Sequence, residues 1–115
     1  MGLLTNAGPP AWHPASRQLR DLCRRAGAAC AGRGVELGKL SVHHNITHLK
    51  HSVATTLLGV GRMDILRINL DIVMEGLTAL EREVMEEVKQ KFFSDVRDAS
   101  WENTDIKKYN DALRS

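Results

Sequence analysis

Val53-Ala-Thr-Thr-Leu-Leu-Gly59, followed by Val60 and Gly61, is the stretch on which the fold turns. Its β-branched and leucine side chains run without polar alternation and stop at a pair of glycines. That pattern is expected of a short strand buried on both faces, as in a parallel sheet. Helical patterning flanks it on both sides. Upstream, Gly2, Gly8, Pro9, Pro10 and Pro14 make residues 1–15 a loop. Ser16 is placed to cap a helix whose stripe is Leu19, Leu22, Cys23, Ala26 and Cys30, stopped by Gly32 and Gly34. A second helix is expected over 36–48, burying Leu37, Leu40 and Ile46, with His44 near the same side.

Downstream of the glycines, a third helix is expected over 62–73, interrupted by Gly76. Thr78-Ala-Leu-Glu81 is a capping box, because a Thr hydroxyl and a Glu three residues later satisfy each other's backbone donors. The helix it opens runs to residue 93 and turns Leu80, Val84, Val88 and Phe92 inward. In the polar end, 94–115, Ile106, Tyr109 and Leu113 suit one short docking helix. Four or five helices then accompany a single strand. One strand cannot satisfy its own backbone groups, and even an isolated pair is marginal in water. Its neighbours must come from elsewhere, so the chain reads as incomplete and as prone to self-association through the unpaired strand.

The 115 residues allow one domain at most, and the 43% hydrophobic and 26% charged content is that of a globular chain. Only five aromatics, Trp12, Phe92, Phe93, Trp101 and Tyr109, are available to anchor a core. No apolar run reaches the roughly 18 residues of a membrane span. The first residues lack the basic flank and apolar region of a signal peptide, so a cytoplasmic location is expected. The net charge of +2 divides unevenly: residues 1–52 carry seven basic against two acidic residues, and 53–115 nine against twelve. Arg17, Arg20, Arg24, Arg25 and Arg33 follow one helix and its end, and read as a solvated face rather than a nucleic-acid footprint.

Other chemistry-bearing residues have plain readings. Cys23 and Cys30 lie on one helix face about 10.5 Å apart along the axis, too far for a disulfide, and are expected as small buried hydrophobes. His44, His48 and His51 stand at i, i+4 and i+7, a spacing that three zinc-binding histidines could use. No supporting second shell is visible, so no metal is assigned. Asn45-Ile-Thr47 is a glycosylation sequon that is expected to go unused without a signal peptide. No catalytic carboxylate pair emerges.

Three stretches together resemble the aldo-keto reductases, (β/α)8 barrels that use NAD(P)H, and in particular the L-galactose dehydrogenase-like branch. Gly2-Leu-Leu-Thr-Asn-Ala-Gly-Pro-Pro-Ala-Trp-His-Pro-Ala15 resembles the loop after the seventh barrel strand. Thr56-Leu-Leu-Gly-Val60, with Asn69, is similar to the eighth strand and its cofactor segment; Val96-Arg-Asp-Ala-Ser-Trp101 resembles the end of the C-terminal loop. The resemblance implies an α/β fold class, the C-terminal part of a TIM barrel. It makes 1–115 a partial NAD(P)-dependent oxidoreductase domain with 94–115 as its terminal loop and tail.

The same resemblance implies that Gly59, Val60, Gly61, Arg62 and Asn69 contact the adenosine side of NAD or NADP, and that Trp12 and Trp101 rim the substrate mouth. The implied reaction is hydride transfer at a sugar C1 or another carbonyl carbon, with a dinucleotide and a small carbonyl or sugar substrate as partners. Two departures stand out. Ile65 occupies a position where relatives place a basic or amide side chain, and Val42-His-His-Asn45 replaces their Leu-Gln-Tyr-Ser-like segment. No residue matches the family's Asp, Tyr, Lys and His tetrad, so no catalytic residue is assigned and the chain alone is expected to be inactive. The alternative from another class is a non-catalytic, α-rich interaction protein or truncated isoform.

Overall fold

The structure, a computed structural model, describes residues 2–97, 99–101 and 104–114. Among the described residues five α-helices follow one another: α1 Arg17–Gly32, α2 Leu37–His48, α3 Met63–Glu75, α4 Ala79–Val88 and α5 Thr104–Arg114. The last turn of α4 widens directly into a π-helical segment, Lys89–Phe93.

Local cues account for the helix boundaries. The Ser16 hydroxyl accepts the Leu19 N–H at 3.2 Å and so caps α1. Gly34, at φ +68°, takes the chain out of α1 toward α2 in a conformation costly for any residue with a Cβ. At α4 the expected capping box forms completely. The Glu81 N–H donates to Thr78 Oγ1 at 3.2 Å, and the Thr78 N–H donates to Glu81 Oε2 at 2.9 Å.

The main core lies where α1, α2 and α4 meet. Ala26, Cys30, Val35, Leu37, Leu40, Leu77, Val84, Val88 and Phe92 form one buried cluster. A smaller cluster of Ala15, Leu19 and Cys23 lies toward the start of α1. Both cysteines are free and buried, and burial pushes both thiols up from their ordinary range. Phe93, which ends the π-helical segment, is half-buried and packs against both clusters.

The N-terminal loop is tied down as firmly as a helix. Asn6 Nδ2 donates to the Val35 carbonyl at 2.8 Å, and Asn6 Oδ1 accepts the Leu37 N–H at 2.9 Å. The Asn6 N–H donates to Glu36 Oε1 at 3.2 Å. The loop crosses α1 at Gly27, where a Cβ would stand 2.4 Å from the Thr5 carbonyl oxygen. Ion pairs join the end of α1 and α2 to α4: Arg33 meets Glu83 and Glu87, each at 2.9 Å, and Lys39 meets Glu81 at 2.7 Å.

The structure corrects the expected strand. Among the described residues no strand forms, and residues 55–61 carry no regular structure. The reason is the one that made a lone strand improbable: neither neighbour exists here to take its N–H and C=O groups. Leu57 is therefore 93% exposed. The described architecture is helical, as a fragment of an α/β barrel protein would be, and it does not build the barrel.

Smaller corrections follow. Leu80, expected inward, is exposed, and Ile46 is only half-buried. Helix α3 begins at Met63 and reaches Glu75 rather than covering 62–73. The docking helix expected near the end exists as α5, where Leu113 is exposed. The side chains of Ile106 and Tyr109, and Asp98 of the Val96–Trp101 stretch, lie outside the described residues. The radius of gyration, 15.7 Å, exceeds the about 13 Å typical of a compact 100-residue domain. Among the described residues, no helix is long and apolar enough to cross a membrane.

Candidate cofactor segment and aromatic corner

The segment assigned to the cofactor joins the unpaired stretch to the start of α3. Gly59, Val60 and Gly61 are solvent-exposed, and no atom lies within 4 Å of where a Gly61 Cβ would be. Arg62 is extended (φ −144°, ψ 150°) and stands at the N-cap of α3 without a side-chain cap. The first-turn N–H groups of α3 thus remain available, and the helix dipole places partial positive charge beside them. An open glycine turn leading to an uncapped helix start fits a phosphate group.

Two features limit that fit. The Arg62 guanidinium is engaged by Asp64, with Nε to Oδ1 at 3.0 Å and a second bond from Nη2. Asp64 also sets a carboxylate in the first turn of α3. Asn69 lies six residues past Met63, about 9 Å along the helix axis. It is half-buried and shares a face with the buried Ile72, on the helix that packs against α2. Gly59, Val60, Gly61 and Arg62 are thus consecutive at one end of α3, with Asn69 two turns away on its packed side.

Trp12 and Trp101, the assigned rim residues, come together around a residue that sequence reasoning passed over. His13 is 4% exposed. Its ring lies 6.1 Å from Trp12 in a stacked arrangement and 5.0 Å from Trp101 edge-on. His13 Nδ1 accepts the Ala15 N–H at 3.2 Å, which leaves the proton on Nε2 of the neutral ring. Burial lowers the His13 pKa, with the Arg20 charge adding to the effect. The signal available in sequence was position: a histidine between Trp12 and Pro14, in a loop with few other large side chains to cover it.

The arginine series divides its work. Arg20 Nη1 donates to the Ala11 carbonyl at 2.6 Å, Arg24 pairs with Asp21, and Arg25 lies over the Phe92 ring at 5.6 Å. These contacts, with the Arg33 bridges, spread the positive charge of α1 over its own neighbourhood.

A groove of about 600 Å³ opens between α2 and the end of α4. Leu4, Leu40, Met85 and Phe93 form part of its apolar floor, and His44 and Lys89 lie at its polar side. The His44 and His48 rings stack with centroids 4.0 Å apart. His43 and His44 each bury an Nδ1 without a hydrogen-bond partner. Burial is the first cause lowering both pKa values, joined by nearby positive groups, Arg82 for His43 and His48 for His44. Among the described residues no three His, Cys, Asp or Glu side chains are grouped to hold a metal ion, so the His44, His48 and His51 series does not converge.

Comparison with known proteins places this chain in a distant relation to the aldo-keto reductases, at the level of the family. The relative that carries the relation is the L-galactose dehydrogenase of Arabidopsis thaliana, 29% identical over 102 residues. Those residues cover 88% of this chain and 31% of the plant enzyme, so the chain spans about a third of that relative's length. No family model matches the chain.

Proposed function

We propose that this chain is the C-terminal third of an aldo-keto reductase-like oxidoreductase, carrying an adenosine-side cofactor segment but not the catalytic tetrad. The observation that supports it is the 102-residue similarity to L-galactose dehydrogenase, which takes in almost the whole of this chain and a third of that one. In this reading 53–60 is the last barrel strand. It stays unpaired here because the strands that would flank it lie in the other two-thirds of the barrel.

Gly59, Val60, Gly61 and Arg62, with the first turn of α3, then hold a phosphate on the adenosine side of NAD or NADP, and Asn69 faces the adenine. For Asn69 to do so, α3 has to turn away from its present packing on α2. Arg62 has to leave Asp64, which the full charge of a phosphate favours at short range. When bound, the dinucleotide supplies hydride chemistry at a sugar C1 or another carbonyl carbon. This chain's residues bind and orient it, and Trp12 and Trp101, packed about His13, wall the substrate mouth from water. The compartment proposed is the cytoplasm.

Heteronuclear NMR on the purified chain, titrated with NADP⁺ and NAD⁺ to millimolar concentration, tests the cofactor segment. Shifts at Gly59, Gly61 and the first amides of α3 are expected; their absence removes the segment's assignment. NAD(P)H-dependent aldehyde reduction by the isolated chain would overturn the claim that it lacks the catalytic machinery. A second reading, a non-catalytic interaction protein, is favoured by the apolar surface that α3 presents to solvent.

A further inference from the structure

Helix α1 is charged the wrong way round for its own dipole. The first turn of a helix favours acidic side chains, because its free N–H groups carry partial positive charge. In α1 that turn holds Arg17 and Arg20 and no acidic residue. Ser16 Oγ takes the Leu19 N–H, while the Arg17 and Gln18 N–H groups have no partner among the described residues. Backbone and side chains both present positive charge at this end, and the first turn supplies nothing to offset it.

The same end opens onto a cleft of about 980 Å³, bounded on its other side by Lys91, Phe92 and residues 94–97. Arg17, Arg25, Lys91 and Arg97 line it, against two carboxylates, Asp21 and Asp95. Asp21 is held by Arg24, which lies outside the lining. None of the four cations has an ion-pair or hydrogen-bond partner among the described residues. Two of them are gathered by one buried ring: the Arg25 guanidinium lies 5.6 Å and the Lys91 ammonium 5.5 Å from the centroid of Phe92. Cation–π attraction thus holds two like charges no more than about 11 Å apart, with no carboxylate bonded to either. On α1 alone the arginines form a solvated face; Lys91 and Arg97, arriving from the other end of the chain, turn that face into a cleft of one prevailing sign.

We infer that this cleft binds a small molecule bearing two or more linked phosphate groups. The surplus of positive charge selects an anion. Guanidinium groups match phosphate oxygens bidentately, and the open N–H groups at the start of α1 are suited to the same oxygens. Size sets the number of phosphates. The volume lies near the top of the about 300–1,000 Å³ range of small-molecule sites, more than a single phosphate fills, and the cations approach from several points along it. No residue of 53–76 lines the cleft, so it is separate from the Gly59–Arg62 segment and does not depend on the cofactor reading.

Amide-resolved NMR on the full 115-residue chain, titrated with sodium tripolyphosphate at constant ionic strength, tests the site. Saturable shifts are expected at Arg17, Gln18, Lys91 and Phe92, with inorganic phosphate binding at least tenfold more weakly. Arg25→Gln and Lys91→Gln, both on exposed side chains, should each weaken tripolyphosphate several-fold and together at least tenfold. Lys50→Gln, on an exposed cation outside the cleft, should change nothing. The amide spectrum of each variant reports whether it is folded, and the mapping on the parent chain decides even where a variant is not. Shifts that follow every exposed cation without saturating overturn the proposal, as does saturable binding indifferent to the Arg25 and Lys91 changes. Shifts confined to Gly59, Gly61 and the first turn of α3 overturn it while supporting the cofactor segment. Affinity for single-stranded oligonucleotides that keeps rising with their length also overturns it, because the cations then serve a nucleic-acid backbone.

Discussion

Residues 49–76, with 14 apolar residues in 28, are richer in apolar side chains than residues 2–48, with 19 in 47, yet they bury far less of them. In the first region Leu19, Cys23, Ala26, Cys30, Leu37 and Leu40 are buried, and even the loop ahead of α1 is fixed by three hydrogen bonds through Asn6. In the second, only Ile72 is buried, while Val53, Leu57, Leu58, Val60 and most of α3 face solvent. Hydrophobicity by itself does not make a core. The first region closes on itself and on α4; the second is patterned for surfaces that these 115 residues do not supply.

The contrast can be broken by mutation, most strongly in the core. Leu40→Ala should cost about 3 kcal/mol, through lost transfer free energy and the cavity left behind. Leu57→Ala, the same truncation on a 93% exposed side chain, should stay within about 0.5 kcal/mol of the parent. Urea denaturation of the two variants measures both, and equal losses would mean that 53–60 is packed in solution.

Gly27→Ala comes next. Its methyl would enter the 2.4 Å gap to the Thr5 carbonyl, so the loop must lift from α1, at about 2 kcal/mol. The thermal midpoint should fall, and amide exchange should quicken at Leu37, whose N–H depends on Asn6. Thr78→Ala removes one half of the capping box and should cost about 1 kcal/mol, read from the same denaturation curves.

Acid gives the smallest and most graded effect. His13, His43 and His44 all have folded pKa values below the ordinary one, so the unfolded chain binds protons first. Their contribution is complete above about pH 6.5 and is lost as pH falls from there through the lowered values. Glu81 adds a second, more acidic step. Burial pushes its carboxyl up, but the Lys39 ammonium and the Thr78 backbone and hydroxyl contacts outweigh that and leave it below its usual value. Stability from Glu81 is therefore present above the normal carboxylate range and is lost as pH falls through the folded value. Thermal midpoints recorded between pH 7 and pH 3 should decline in two stages, and Glu81→Gln should flatten the lower one.

What could be read from the chain was what local chemistry decides. Ser16, the glycines after α1, the Cys23–Cys30 stripe and the Thr78–Glu81 box each specify their structure within a few residues, and all appear as expected. The strand at 53–59 was a correct reading of pattern with a wrong outcome, since a strand is completed by partners far away in sequence. Leu80 was misplaced for a different reason: the i, i+4 series that runs on through Val84, Val88 and Phe92 extends to it, but it sits in the first turn of α4, where no neighbour covers it. The π-helical widening at Lys89–Phe93 was not legible either, since no local residue announces it. Within the candidate site, the resemblance pointed to Trp12 and Trp101 separately, and their meeting about His13 emerged only in three dimensions.

The main core has one more consequence. It draws on residues 26–40 and 77–92 and on none of 41–76, so the exposed stretch around Gly59 bypasses it. Covalent continuity there should therefore be dispensable for holding the halves together. A protease site inserted at Gly59 and cut should give two peptides that still travel as one particle on a sizing column and separate only in denaturant. Because exposed, unpaired backbone also tolerates insertions, the same point can receive a whole guest domain, making this chain a natural split scaffold.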